Sequence, residues 1–488
     1  MTTQPYAELR ETHTAVVVLV GDMAYKFKKP VDLDFLDFST PALREAACSR
    51  EVSLNRRMAA DVYLGLAHLE QPDCTPEPVV VMRRMPDDRR LSTLVTRGVP
   101  VAAEVRAMAR QLAVFHASAE RHPILQLAAS RDALLGRWRD SLEQVRALDV
   151  LDPTVVEQVT ERVEAFLAGR APLLDRRIAA GLVLDGHGDL QADDIFCLPD
   201  GPRAIDCLEF DDALRHVDQL DDAAFLAMDL EHLGAPDLAS DFLDAYLEFS
   251  GDPAPEALKH HYVAYRAFVR AKVSCLRTHQ GDAGSREVAD GYARIALQHL
   301  RLGTVRLVLV GGLPGTGKST LAAMLADKHG YVLLSSDRLR KELAGLSPDT
   351  PAPAAYGQGL YAPGSTDATY AELVHRAELL LASGESVVID ASWTDAHRRG
   401  AARAAARATH ADLAEIRCYA PTRITVQRMR ERHAGASDAD DIIAARMATI
   451  ENGWPSATVI ETTGTLEQSL LDASAVLDAP DAFGFRAS

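Results

Sequence analysis

Two stretches of this 488-residue chain hold residue types at spacings suited to phosphate chemistry. The first is HGDLQADDIF, residues 187–196. Asp189 and Asp194 stand five apart there, a spacing at which one carboxylate can accept a proton from an attacking hydroxyl while a second side-chain oxygen ligates metal. Another acid, Asp206, closes the apolar pair of AIDCLEF just after the turn LPDGPRA. Upstream, MAYKFKK offers Lys26 and Lys28 on one side of an expected strand, where an ammonium would reach the α- and β-phosphates of a nucleotide. Glu51 in SREVSLNRR is the expected helical partner of that lysine, with Glu45 in reserve. Taken singly, each group reads equally well as a solvated charge or a turn. Their order along the chain makes them a candidate site.

The second stretch is GLPGTGKST, residues 312–320, which contains a full G-x-x-x-x-G-K-[ST] pattern. Gly312, Leu313, Pro314, Gly315, Thr316 and Gly317 form a loop whose backbone N–H groups can curl around phosphate oxygens. Lys318 then reaches the β- and γ-phosphates, Ser319 supplies a hydroxyl to Mg²⁺, and Thr320 is a further nucleotide-binding candidate. An apolar run at 305–311 and a helical run at 318–328 give the loop its required context. Asp337 in SSDRLRKEL follows the next apolar run and is placed to act as a general base, with Arg340 one helical turn on to hold the substrate or the transferring phosphoryl group. The alternative for Asp337 is an N-cap opening a helix over 338–344. Asp390 ends SVVIDAS, an apolar run followed by an acid that would bind Mg²⁺ or its water, with a capping role as the alternative. Arg428 and Arg432, four apart, suit a lid over the nucleotide phosphates or, failing that, a solvated basic face.

These groups need two different scaffolds. Residues 15–28 read as two β-rich runs joined at Gly21-Asp22, a helix starts near Pro41, and a strand covers 78–88. Helical patterns dominate from 101, over 101–119, 130–147, 153–168, 218–233, 237–249 and 255–300, interrupted at 182–210 by short strands and turns. That order predicts an α+β domain with a small front lobe, 1–85, and a helical back lobe, 86–303. Beyond 303, continuous apolar runs alternate with helical stretches, which predicts an α/β domain with a parallel sheet over 304–488. The run RRGAARAAARATHA reads as an exposed helix. A chain of this length exceeds one core, in agreement with two domains.

A net charge of −18 argues against a surface built for nucleic-acid phosphates. The six cysteines (48, 74, 197, 207, 275, 418) form no CxxC pair, which fits a reducing compartment rather than a disulfide framework. The N-terminal segment lacks the charged and apolar regions of a secretory signal, and no apolar run is long enough to span a membrane, so a cytoplasmic location is expected.

With those residues in view, the C-terminal part resembles small P-loop kinases of the gluconate kinase and polynucleotide 5′-kinase type. In that group the Asp of D-x-x-R, here Asp337, is the base, and lid arginines embrace ATP. The N-terminal part resembles the aminoglycoside phosphotransferase and choline kinase branch of the protein-kinase-like fold over about residues 14–275. The resemblance implies that HGD is the catalytic loop, that Asp194 and Asp206 ligate Mg²⁺, and that Asp222 braces the loop. More narrowly, the whole chain resembles bacterial fusions of such a domain with a P-loop kinase. The sequence departs from the pattern at three places. Gln191 and Asp194 replace the usual His and Asn, and no glycine lies between Met1 and Val20, so Thr12, His13 or backbone donors of RETHT would have to cover the phosphates. A carboxylate is at least as good a Mg²⁺ ligand as an amide. It also crowds Asp189 and Asp206, which predicts strongly metal-dependent nucleotide binding.

Arg266, Arg270 and Lys272 in YRAFVRAKVSCLR lie where related enzymes shape acceptor pockets, and the two arginines share a helix face; surface charge around an apolar stripe is the alternative. Three functions follow: a bifunctional kinase using ATP and Mg²⁺ on small hydroxylated acceptors, an active C-terminal kinase with a silent nucleotide-binding N-terminal domain, or an ATPase switch. Composition and motifs leave the acceptors and oligomeric state open.

Overall fold

A computed structural model describes residues 6–12, 14–33, 36–70, 75–122, 126–347, 350, 359–431 and 453–478. Near the N-terminus the β-branched runs form strands β1 (Ala7–Glu11), β2 (Ala15–Val20) and β3 (Met23–Lys28). Val20 pairs with Met23 across Gly21-Asp22, and Gly21 takes a left-handed φ of 57° that the tight turn requires. Helix α1 (Pro41–Ala59) follows, with Pro41 in its first turn and the Thr40 side chain accepting from the Leu43 amide. Strands β4 (Tyr63–Leu69) and β5 (Glu77–Arg83) complete an antiparallel sheet in the order β1-β2-β3-β5-β4. One face of α1 buries Cys48, Val52 and Ala59 against Leu19, Ala24, Val80 and Met82. Glu51 lies on that same face, so a carboxylate enters the sheet's apolar side. That placement requires partners.

Helices α2 (Ala102–Ser118), α3 (Arg131–Leu148) and α4 (Pro153–Gly169) come next, then α5 (Ala171–Ala179). The helical run breaks for four short strands: β6 (Val183–Asp185), β7 (Ile195–Leu198), β8 (Gly201–Ala204) and β9 (His216–Asp218). Strands β7 and β8 form the hairpin expected around LPDGPRA, and β6 pairs with β9. Between β6 and β7 runs the HGD segment. Helices α6 (Gln219–His232), α7 (Pro236–Ser250), α8 (Glu256–His279) and α9 (Ser285–Leu302) close this part.

The remainder is built on β10 (Arg306–Gly311), α10 (Lys318–His329), β11 (Val332–Ser335), α11 (Ser336–Leu343), α12 (Pro363–Ala382), β12 (Val387–Asp390), α13 (Ala396–Ala408), β13 (Asp412–Tyr419), α14 (Thr422–Glu431), β14 (Thr458–Glu461) and α15 (Leu466–Asp478). Its five strands are all parallel, in the order β11-β12-β10-β13-β14. Val308 and Val310 of the central β10 are fully buried, which explains why these strands read as continuous apolar runs. The chain folds as two compact units. One comprises Met1–Glu161, Leu174–Ala254 and Leu258–Leu302; the other comprises Arg162–Leu173, Pro255–Ala257 and Gly303–Ser488.

Two local expectations need correction. The Ala/Arg-rich helix α13 is not simply exposed: Arg399, Ala402, Ala405 and Ala406 are buried, and Arg399 donates to the carbonyls of Trp393 (2.6 Å) and Gly453 (2.9 Å). Small alanines let that face pack closely. Asp337 is not an N-cap either, because α11 begins at Ser336 and places it inside the first turn. Among the described residues no helix is long and apolar enough to cross a membrane. Cys48, Cys197, Cys207, Cys275 and Cys418 are free and buried, and Cys74 lies outside the described residues.

Candidate active site

In the first unit, strand alternation points Lys26 and Lys28 at the same helix. Lys26 Nζ lies 2.8 Å from Glu51 Oε1, and Lys28 Nζ lies 2.6 Å from Glu51 Oε2. Each lysine holds a second carboxylate from the segment after the β7–β8 hairpin: Asp206 Oδ1 at 2.9 Å for Lys26 and Glu209 Oε1 at 2.5 Å for Lys28. The result is a ladder of two cations between three anions. Burial alone would raise the Glu51 carboxyl, but the two ammonium groups outweigh it and hold it below its ordinary value. Lys26 first places its attraction on Asp206, whose carboxyl is lowered. Asp206 itself has a left-handed φ of 62°, uncommon for a residue with a Cβ, and its amide donates to the Tyr63 hydroxyl at 3.2 Å. Glu45, the reserve partner, instead meets His68 at an exposed position, 2.9 Å away.

The HGD segment is fixed from behind. Asp222 accepts from the amides of His187 (2.7 Å) and Gly188 (2.8 Å) and from His116 Nε2 (2.9 Å). These donors outweigh burial and keep its carboxyl far below the ordinary range. Asp229 takes the Ala192 amide at 2.8 Å, and Arg57 donates to the carbonyls of Asp185 and Gly186. Asp189 is thus presented on a braced loop, with Gln191 Nε2 donating to its Oδ1 at 2.8 Å. Burial pushes its carboxyl up to about 6, with Arg270 opposing and Asp206 reinforcing. Asp194 is held well above the carboxylate range by burial, then by Asp206 and Asp189.

Several expectations for this unit fare differently. Thr12 spends its hydroxyl locally, accepting from the Ala15 amide at 3.0 Å, and His13 lies outside the described residues. Arg266 is not available as a free anion holder: it is buried, its Nε is 2.7 Å from Asp221 Oδ1, and NH1 reaches the Gly188 carbonyl at 3.4 Å. Lys272 points to Ser141 Oγ at 3.3 Å.

In the second unit, Gly312, Gly315 and Gly317 all take left-handed φ values, of 141°, 80° and 84°. A Cβ on Gly312 would lie 2.7 Å from the Cys418 carbonyl, and one on Gly315 would lie 2.6 Å from that of Thr425. Only glycine allows this loop to close against its neighbours. Lys318 and Ser319 open α10 from the loop. Asp390, at the carboxyl end of β12, is buried; Ser319 and Ser335 hydrogen-bond its side chain, yet Oδ1 has no partner. Burial raises its carboxyl, opposed by Lys318. An orphaned buried carboxylate oxygen beside the motif hydroxyl suits a cation or its water. Asp337 and Arg340 form an ion pair at 2.9 Å, and the guanidinium stacks 4.5 Å from the Tyr361 ring.

Arg428 donates to the Thr462 carbonyl at 2.6 Å, and Thr462 Oγ1 donates to the Thr316 carbonyl, also at 2.6 Å. The arginine is thereby tied to the phosphate loop through one threonine. Arg432 lies outside the described residues. A cavity of about 390 Å³ opens beside the loop, walled by Gly315, Gly317, Leu321, Met324, Arg428 and Leu466. Thr462 and this cavity had no sequence signature, since Thr462 lies over 140 residues from the glycines.

Among the described residues no group of three or more His, Cys, Asp or Glu surrounds a metal-sized point. Each unit offers one or two carboxylates instead. Mg²⁺ is commonly held that way, with phosphate oxygens and waters completing its shell. The donor sets therefore fit Mg²⁺ arriving with a nucleotide.

The family model described as "AAA domain" matches residues 307–452. An uncharacterized protein of Mycobacterium tuberculosis (strain ATCC 25618 / H37Rv) is 46% identical over 473 residues, which is 96% of this chain and 95% of the relative. Among solved structures, a choline/ethanolamine kinase family protein from Mesorhizobium loti matches 62% of this chain and 93% of its own, at 16% identity and a TM-score of 0.38. A gluconokinase from Sinorhizobium meliloti 1021 matches 36% of this chain and 93% of its own, at 19% identity and a TM-score of 0.27.

Proposed function

The chain belongs to one family with this mycobacterial relative, and from that premise we propose that it is a bifunctional ATP-dependent phosphotransferase acting on small hydroxylated molecules. It joins a two-lobed kinase-like α+β fold to a P-loop kinase domain with a parallel sheet. We assign one nucleotide site to residues 1–303 and the other to 304–488.

The observation that carries the reading is the bridge made by Lys26 between Glu51 and Asp206, opposite a catalytic loop that presents Asp189. In a domain kept for binding alone, nothing would require a half-buried carboxylate on a loop braced by Asp222 and Asp229. At this site Asp189 accepts the acceptor's hydroxyl proton as its oxygen bonds to the γ-phosphorus. The bond from that phosphorus to the bridging oxygen breaks, and the electron pair leaves on ADP. Lys26 holds the α- and β-phosphates once it releases Asp206, and Lys28 keeps Glu51 in place meanwhile. In the second unit Lys318 and the loop amides hold the β- and γ-phosphates, Asp337 is the base, and Arg340, 2.9 Å away, keeps it aimed. The cavity beside Gly315 and Met324 takes the nucleoside, with Arg428 along its wall. Asp194 and Asp206 in one unit, Ser319 and Asp390 in the other, would hold Mg²⁺, which when bound neutralises phosphate charge.

The test is a metabolite screen for ATP consumption on the full chain and its variants. Asp189→Asn and Lys318→Ala should each abolish transfer to a different acceptor. If Asp189→Asn leaves every transfer intact, the N-terminal domain is a silent nucleotide-binding module, the reading favoured by the crowding of Asp194 and by the turn at Thr12.

A further inference from the structure

We infer that Glu209 is a positioning residue for the metal site of the first unit: through Lys28 it anchors the segment that carries Asp206, so that this carboxylate keeps its place when Lys26 turns from it to the phosphates. This rests on the proposed roles of Asp206 as a Mg²⁺ ligand and of Lys26 as a phosphate holder. The two rungs of the lysine–carboxylate ladder are similar in length but differ in what can reach them. Lys26 and Asp206 meet at the surface, 2.9 Å apart, with side chains 15% and 49% exposed. Lys28 and Glu209 meet at 2.5 Å with side chains 2% and 15% exposed, and the Phe38 ring lies 5.1 Å from Lys28 Nζ. A nucleotide can compete for the outer ammonium group. Parting the inner pair would strand a buried charge, which costs far more than parting an exposed one. The outer rung exchanges and the inner rung stays.

What the inner rung holds is the short segment from Asp206 to Glu209. Asp206 has a left-handed φ of 62°, a conformation that persists where the surroundings impose it. The next residues are tied down one by one. The Cys207 amide donates to Asn55 Oδ1 of α1 at 2.8 Å, the Leu208 amide donates to the His187 carbonyl at 3.2 Å, and the Leu208 carbonyl accepts from Arg215 at 2.8 Å. Two ion pairs join this segment to strand β3, one from each end: Asp206 to Lys26 and Glu209 to Lys28. Once Lys26 is spent on phosphate, Glu209–Lys28 is the pair that remains, and Lys28 is itself fixed to α1 by Glu51 at 2.6 Å. Groups that orient a metal ligand without touching the metal commonly set its affinity by about 10- to 100-fold.

The experiment follows the first unit's unfolding transition by differential scanning calorimetry of the full chain carrying Lys318→Ala, which weakens the second site. Adenylyl imidodiphosphate, a non-hydrolysable ATP analogue, is held constant while Mg²⁺ is titrated, and each chain is read against its own unliganded midpoint. Ligand bound to the folded state raises that midpoint by mass action. Adding Glu209→Gln should raise the Mg²⁺ concentration for half the maximal shift by about 10-fold, and excess Mg²⁺ should restore the full shift. A pair that only stabilises the fold would lower the unliganded midpoint and leave the Mg²⁺ requirement within about threefold of the parent chain; that result overturns the inference. So does a shift that no excess of Mg²⁺ restores, because the damage then reaches beyond the metal ligand. A parent chain whose transition responds equally with and without Mg²⁺ overturns the metal role of Asp206, and the role of Glu209 with it, while nucleotide binding stands. A parent chain that responds to neither sinks the nucleotide site itself, and the role of Glu209 falls with it. If the glutamine variant shows no first transition, Glu209→Asp, which keeps the charge one methylene short of Lys28, is judged by the same criteria.

Discussion

Glu51→Gln isolates the centre of the lysine–carboxylate ladder. The glutamate is fully buried, and each of its oxygens meets an ammonium group, at 2.8 and 2.6 Å. Glutamine keeps the shape but removes the charge and turns an N–H₂ group toward one of the lysines. Removing one partner of a buried pair costs about 3–5 kcal/mol. Lys26 retains Asp206 and Lys28 retains Glu209, so the loss belongs at the lower end, about 3 kcal/mol. For a unit of this size that lowers the midpoint of unfolding by about 5 °C. Differential scanning calorimetry of the full chain should show the first unit's transition shifted and the second unit's unchanged. The pH dependence has a definite sign. Because the folded carboxyl is lowered, its contribution is complete above its unfolded pKa of about 4.3 and is lost as pH falls through the folded value. The gap between wild type and variant should therefore be full at neutral pH and shrink under acid. A shift of under about 1 °C at pH 7 would refute the buried ladder, whatever the activity does.

Further outcomes follow from the same geometry. Asp222→Asn turns an amide N–H₂ toward one of the three donors now held by the carboxylate, so it should cost about 3 kcal/mol and distort the HGD loop, read as loss of Asp189-dependent transfer. Because the folded pKa of Asp222 is depressed, wild-type stability should fall as pH drops below about 4, and the variant should lack that fall. Gly315→Ala forces a Cβ to within 2.6 Å of the Thr425 carbonyl at a φ of 80°; about 1–3 kcal/mol of strain should weaken nucleotide binding by the second unit, measured by fluorescent ATP-analogue titration. Lys318→Ala leaves the fold intact, because the side chain is half-exposed, but should lower kcat/KM of the second unit by about 100-fold or more.

The parts of the fold that were legible are those written in contiguous residues. Gly312 to Ser319 encodes a backbone path, and buried apolar runs encode a parallel sheet, so both could be read without knowing what packs on them. The helix of Glu51 and the strand of Lys26 were legible by type, and their meeting followed from order along the chain. The partners that belong to tertiary structure were not. Glu209 has no motif, and only the fold brings it to Lys28 across 181 residues. Thr462, which links Arg428 to the phosphate loop, is an unremarkable threonine after an edge strand. Arg266 was misjudged for the same reason: a helical face predicts which residues share a side, not that Asp221 already occupies one of them. Asp337 was read as a possible cap because a short polar run hides the true start of α11 at Ser336.

Asp194 now has a more definite place. Had it stood in an open cleft, its third carboxylate would have been one more solvated acid. Here its carboxyl is raised by burial and by Asp206 and Asp189, while Asp206 is lowered because Lys26 holds it. Before nucleotide arrives, the two candidate metal ligands are thus in opposite states, one favouring its proton and the other its lysine. A divalent ion has to displace both, and phosphates that draw Lys26 away from Asp206 remove one of the two obstacles. On the proposed reading, metal and nucleotide binding at this site would be coupled through a single ammonium group. Replacing Lys26 with a neutral residue should weaken the nucleotide while easing metal binding in its absence, whereas a site kept only to sense nucleotide would need no such exchange.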